Sequence, residues 1–142
     1  MRSRLKKICS ERGITLVEII ASIAILTLII LTFMPMFTQS MRSTKISADM
    51  LDATYLAQST MEDVYQLTET YPFSEAVDQV DDMTFLEKED GWYRYVQFKD
   101  GAYIELSVEE PDRGLSNVLV KVYTDDSKSK LMAQMESIYR WE

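Results

Sequence analysis

From Ile19 to Met41 the chain carries no charged residue, an uninterrupted run of 23. No other feature constrains its folding so strongly. As a helix the run rises roughly 35 Å, enough to cross a hydrocarbon core of about 30 Å. One membrane crossing is therefore expected. Its head is not clean. In RGITLVEIIASIAILTLIILTFMPMF (residues 12–37), Glu18 stands among the first apolar side chains. A carboxylate costs about 2.5–3.5 kcal/mol at mid-membrane on insertion scales and less near an end, so acidic residues in spans are rare and usually partnered or functional.

The two flanks differ in sign. Residues 1–13 hold five basic residues (Arg2, Arg4, Lys6, Lys7, Arg12) against Glu11, a net of +4. The other ten basic and 22 acidic residues give the remainder −12 within the overall −8. A basic head, an apolar run and an acidic body imply an N-terminus in the cytoplasm and a body across the membrane. With 142 residues in all, the body is one modest domain.

A cleaved secretory signal needs a small-residue site after its apolar core, and TQSMRSTK after Phe37 offers none. A lipoprotein signal needs its cysteine just after the run, whereas the single Cys9 precedes it. With no second cysteine the body has no disulfide and stands on packing alone. There is no histidine, the commonest general base, and only four glycines. Ser/His and Cys/His catalysis and a glycine-rich phosphate loop are excluded, and the chain reads as a non-enzyme.

The stretch Gly13-Ile14-Thr15-Leu16-Val17-Glu18, after a short basic leader and with Pro35 twenty-two residues beyond Gly13, resembles the class III signal of type IV pilins and type II secretion pseudopilins. The resemblance implies that a prepilin peptidase cuts between Gly13 and Ile14 on the cytoplasmic face, and that the new α-amine of Ile14 is methylated. Two positions depart from the commonest pattern: Ile14 replaces a frequent Phe, and Thr27 a frequent Gly. In the family the glutamate pairs with the terminal amine of a neighbouring subunit. Here that makes Glu18 an assembly latch, since an isolated carboxylate and an isolated ammonium in lipid neutralise each other when brought together. Within one chain Ile14 and Glu18 are also an i,i+4 pair, so self-pairing is open. The residues LAQSTMEDVYQL (56–67) look like an LAQ-x-x-ME stretch frequent in minor pilins and minor pseudopilins. The lack of a body disulfide fits a minor subunit, or one from a Gram-positive system.

The implied partners are the prepilin peptidase, other pilin or pseudopilin subunits, an inner-membrane assembly platform and membrane lipid. The implied destination is a type IV pilus, competence pilus or pseudopilus at the cell surface or in the periplasm. The contrasting reading is a single-span membrane-anchored binding or regulatory domain that never polymerises.

Pro35 lacks an N–H for the carbonyl of Leu31, so the helix is expected to kink or loosen there, with the Thr32 hydroxyl relieving the preceding turn. Beyond the span Ile46, Met50, Ala53, Ala57, Met61, Val64 and Leu67 trace one apolar stripe at helical spacing. The helix is expected from Thr15 to about Leu67, roughly 80 Å, ended by Tyr71-Pro72. Residues 72–90 read as a connecting loop in which a strand begins near Met83. Asp90-Gly91 and Asp100-Gly101 are hairpin signals flanking WYRYVQFK. AYIELSVEE alternates with Ala102, Ile104, Leu106 and Val108 inward. Pro111 to Gly114 form a turn, and NVLVKVYT puts Val118, Val120 and Val122 on one face. Residues 130–139 fit a strand or a short helix, with hairpin topology favouring a strand.

The expected fold is α+β and pilin-like: one long N-terminal helix packed on an antiparallel sheet of about four strands. It divides into a leader (1–13), a transmembrane half-helix (14–41), an amphipathic half-helix (42–71) and a globular head (72–142). Carboxylates at Asp81-Asp82, Glu109-Glu110-Asp112 and Asp125-Asp126 suit calcium chemically but lack an EF-hand spacing. Asp125 and Asp126 are the calcium candidates, with solvated turns the plainer reading. Trp92, Tyr93, Tyr95, Phe98 and Tyr103 are expected mostly in the sheet core. A body of −12 argues against direct nucleic-acid contact.

Overall fold

The computed structural model describes residues 15–80 and 82–141. The leader and the Gly13–Ile14 bond lie outside the described residues, as does Asp81. Helix α1 runs Leu16–Thr70, and a single turn, α2, covers Phe73–Ala76. Five strands follow: β1 Thr84–Glu89, β2 Trp92–Lys99, β3 Ala102–Glu109, β4 Leu115–Tyr123 and β5 Leu131–Arg140. They form one antiparallel meander in the order β1-β2-β3-β4-β5. The chain divides into two compact units, one ending at Ser43 and one beginning at Thr44.

In the first unit the apolar side chains of α1 face outward throughout. Ile20, Leu28, Leu31 and Phe37 are all more than half exposed. A soluble fold would cover such side chains, whereas lipid accepts them. The segment has the length and mean hydropathy (2.6) of a bilayer span, and none of it is buried within the chain.

In the second unit the amphipathic part of α1 lies on the sheet. Ala53, Ala57, Met61 and Val64 are buried against a core that includes Tyr95, Ile104, Leu106, Val118, Val120 and Val122. Ala53 and Ala57 are small enough to be covered almost completely on this face. Thr60 and Thr68 complete the buried face, their hydroxyls donating to the carbonyls of Leu56 (2.9 Å) and Tyr65 (2.8 Å), so neither hydroxyl is orphaned. The stripe is shorter than its periodicity suggested. Ile46 and Met50 remain exposed, because the core contacts of α1 begin only at Ala53. The helix also runs three residues past Leu67 and stops at Thr70, where Tyr71-Pro72 ends it as expected.

The strands follow their turn chemistry. Asp90-Gly91, Asp100-Gly101 and Arg113-Gly114 all adopt positive φ at both positions (51° and 81°, 52° and 79°, 51° and 80°). That is the left-handed pair of a type I′ hairpin, whose twist matches that of the strands it joins. On β3 and β4 the inward alternation holds: Ile104, Leu106, Val108, Val118, Val120 and Val122 are each at most 4% exposed. The sheet has five strands because residues 131–140 are a strand and because the expected loop 72–90 contains both α2 and all of β1. Phe73 of α2 packs edge-on against Tyr93 and Trp141, with centroids 5.4 and 5.1 Å apart. Of the aromatic side chains expected in the core, only Tyr95 is fully buried. Phe98 lies on the opposite face of the sheet and is 67% exposed.

Two outcomes follow. Leu106→Ala leaves a void under α1 and lowers stability by about 2–5 kcal/mol, measured by denaturant titration of the detergent-solubilised chain. The Tyr95 hydroxyl donates to the Val77 carbonyl at 2.8 Å, and burial pushes its pKa up to about 12 from 10. A raised phenol pKa means that the folded state favours the neutral form. That contribution is complete below pH 10 and is lost as pH rises from 10 through 12. Tyr95→Phe therefore lowers stability at pH 8 and shallows its decline across pH 10–12, read from denaturation midpoints at each pH.

Candidate assembly segment

Helix α1 begins at a reciprocal cap. The Thr15 Oγ1 accepts from the backbone N–H of Glu18 at 3.2 Å, and Glu18 Oε2 accepts from the backbone N–H of Thr15 at 3.2 Å. The Thr15 hydroxyl also donates to the same carboxylate oxygen at 3.4 Å. Thr15-Leu16-Val17-Glu18 is thus a capping box, in which each side chain satisfies a backbone donor that the helix start leaves free. The carboxylate also sits in the first turn, where the helix dipole favours negative charge. The motif S/T-x-x-E before an apolar run was visible in the sequence, but Glu18 drew attention as a charge in lipid rather than as one half of a cap. Thr15 is the residue missed.

The geometry changes what Glu18 requires. Its oxygen is turned back toward the start of the helix and already holds two donors from Thr15, the residue that follows Ile14. A carboxylate so placed still has lone pairs left for a cation arriving at that end.

Further along, the hydroxyls of the apolar run are bonded to carbonyls one turn back. Ser22 donates to Glu18 (2.7 Å), Thr27 to Ile23 (2.8 Å) and Thr38 to Met34 and Pro35 (3.2 and 2.9 Å). Thr32 donates to Leu28 (3.0 Å) and Ile29 (2.8 Å), the turn preceding Pro35, as expected of a hydroxyl beside a proline. The helix is unbroken through Pro35, with threonine hydroxyls bracketing it on both sides. Satisfied in this way, the polar side chains suit a lipid environment.

The acidic turns have local uses. Asp125 accepts from Ser127 and Ser129, the latter at 2.9 Å, and these hydrogen bonds, Ser127 first, hold its pKa below the ordinary carboxylate value. Asp126 is exposed beside it. Glu109 accepts from the Asn117 amide, and Glu110 pairs with Lys88 at 3.0 Å. Among the described residues no three acidic side chains converge on a common point that would hold a metal ion.

Thr15→Ala removes one half of the cap and should cost about 1 kcal/mol locally. Amide hydrogen exchange of the chain in nanodiscs is expected to speed up severalfold at Glu18 and Ile19 and to stay unchanged at Ala57. No protein-family model matches this chain, and neither curated proteins nor solved structures offer a significant match to it.

Proposed function

We propose that the chain is a prepilin-like structural subunit, of the minor kind, that enters a type IV pilus, competence pilus or type II secretion pseudopilus. A prepilin peptidase removes residues 1–13 by cutting between Gly13 and Ile14, and Ile14 is then methylated on its new amine. Before assembly the chain is a single-pass protein of the cytoplasmic membrane, with its N-terminus in the cytoplasm and its body outside. It leaves the bilayer through an inner-membrane assembly platform and joins other subunits.

One observation carries this reading. A carboxylate stands at the head of an otherwise lipid-compatible helix and is turned back onto Thr15, the residue that follows in the sequence the Ile14 whose amine cleavage would free. Cleavage also removes the whole basic leader, so the new amine becomes the nearest positive charge. The buried acid and the amine then stabilise each other in low dielectric, and pairing between protomers sets an axial register that apolar packing leaves free.

The capping box itself favours a second reading, in which Glu18 merely starts the helix of a single-span anchored binding or regulatory domain. Intact-mass analysis of the membrane-extracted chain separates the two. The subunit reading expects a chain beginning at methylated Ile14 in cells with active peptidase, whereas retention of Met1 to Gly13 sinks it. Glu18→Ala is expected to insert normally yet enter fibres at least ten-fold less often. Thr15→Ala, which disturbs only the cap, should assemble nearly as well as the native chain.

A further inference from the structure

On the face of the sheet opposite the core, β2, β3 and β4 border a cavity of about 380 Å³, within the size range of small-molecule sites. Ser107 of β3 lies at its middle, paired in register with Arg94 of β2 on one side and Leu119 of β4 on the other. Although it alternates with the inward side chains Leu106 and Val108, Ser107 is only 9% exposed. Its hydroxyl lines the cavity and has no hydrogen-bond partner among the described residues. Polar groups so deeply covered are normally bonded, so this one points to a partner arriving from outside the chain.

Three cations line the same cavity, and two of them already hold an acid. Arg94 meets Glu87 at 2.9 Å and the more distant Glu89 at 3.7 Å. Both contacts use Nη1, which leaves the other guanidinium N–H groups as donors. Lys128 reaches Glu105 at 2.8 Å, and that carboxylate is itself well covered. Lys121 faces Glu105 across β3 and β4, yet its ammonium has no acid within ion-pair range among the described residues. One positive charge is thus left without a close counter-charge. A group carrying one negative charge fits, whereas a doubly charged one would also meet Glu105 and Glu87. Trp92 and Leu119 add apolar lining beside these charges.

We propose that this cavity binds a small monocarboxylate carried on a ring. The carboxylate sits among Ser107, Lys121 and the unused edge of Arg94, and the ring lies against Trp92 and Leu119. Hydrogen bonds from a guanidinium and an ammonium to a carboxylate are charge-assisted, about twice as strong as neutral ones. The same carboxylate gives the Ser107 hydroxyl the acceptor that the chain does not supply. Every lining residue belongs to the sheet or to the β4–β5 connection, so the inference stands whether or not the chain polymerises.

The probe is benzoate, titrated into the ¹⁵N-labelled full chain in nanodiscs and followed by amide chemical shifts. Saturable shifts are expected at Ser107, Leu119 and Lys121, with none at Ala57 on the far side of the sheet. Lys121→Gln should raise the dissociation constant at least about ten-fold, the effect of losing a hydrogen bond to a charged group. Lys121→Arg, which keeps the charge, should largely retain binding. Lys121 holds no ion pair in the fold, and an otherwise unchanged amide spectrum verifies that each variant is folded. Benzamide, with the same ring and no charge, should not saturate. Absence of saturable shifts at those three amides overturns the proposal, as does equal binding of benzamide or indifference to Lys121→Gln. Tighter binding of the dianion phenylphosphonate than of benzoate also overturns it, assigning the cavity to phosphate-like groups instead.

Discussion

An acidic side chain at the mouth of an apolar helix is the constraint around which this chain is arranged. Everything from Ile19 to Met41 suits lipid: the side chains are apolar and exposed, and the serine and threonine hydroxyls described there return their protons to the helix's own carbonyls. Glu18 alone does not. Its capping box with Thr15 answers part of the cost by supplying N–H and O–H donors, yet a cap leaves the net charge intact. In the proposed reading the amine freed on Ile14, the residue before Thr15 in the sequence, supplies the cation that offsets it.

The body solves a different problem, that of standing without a disulfide. It does so with a meander whose neighbouring strands are also neighbours in sequence, two of its four connections being two-residue hairpins. Local pairing of this sort lowers the entropy cost of closing the sheet. A face of small and medium side chains from Ala53 to Val64 then seals one side. The other face stays polar and mixed, with Phe98 and Ile138 as its largest exposed apolar groups.

Where a single residue type dictates backbone shape, the sequence was readable. Asp-Gly between apolar runs means a type I′ turn because few other pairs tolerate two positive φ values, and both such turns formed. The alternation of β3 and β4 was equally plain, since the aliphatic side chains from Ile104 to Val108 and from Val118 to Val122 that face the core fall at every second position, although Ser107 on the outward side of β3 is buried as well. Strand β1 was only half legible: every residue in it is exposed, so burial left no imprint on its pattern. Ile46 and Met50 misled for the opposite reason, since periodicity records that a face is apolar but not how far its covering extends. Phe98 shows the same limit in a strand, where β-propensity is indifferent to which face a ring occupies. At the candidate site Glu18 and Pro35 stood out by chemistry alone. Thr15 did not, because a threonine ahead of an apolar run becomes a cap only in partnership with the acid three residues on.

The account turns on whether the Glu18 carboxylate is neutralised by the amine of another protomer. Solid-state NMR can measure this in purified fibres grown from a mixture of two preparations, one with ¹³C-labelled glutamate and the other with ¹⁵N-labelled isoleucine. Dipolar dephasing between Glu18 Cδ and the Ile14 amine at ion-pair range, about 4 Å, in the mixed sample is the predicted result. Dephasing confined to doubly labelled single chains, or a terminal amine that exchanges freely with solvent, would contradict it.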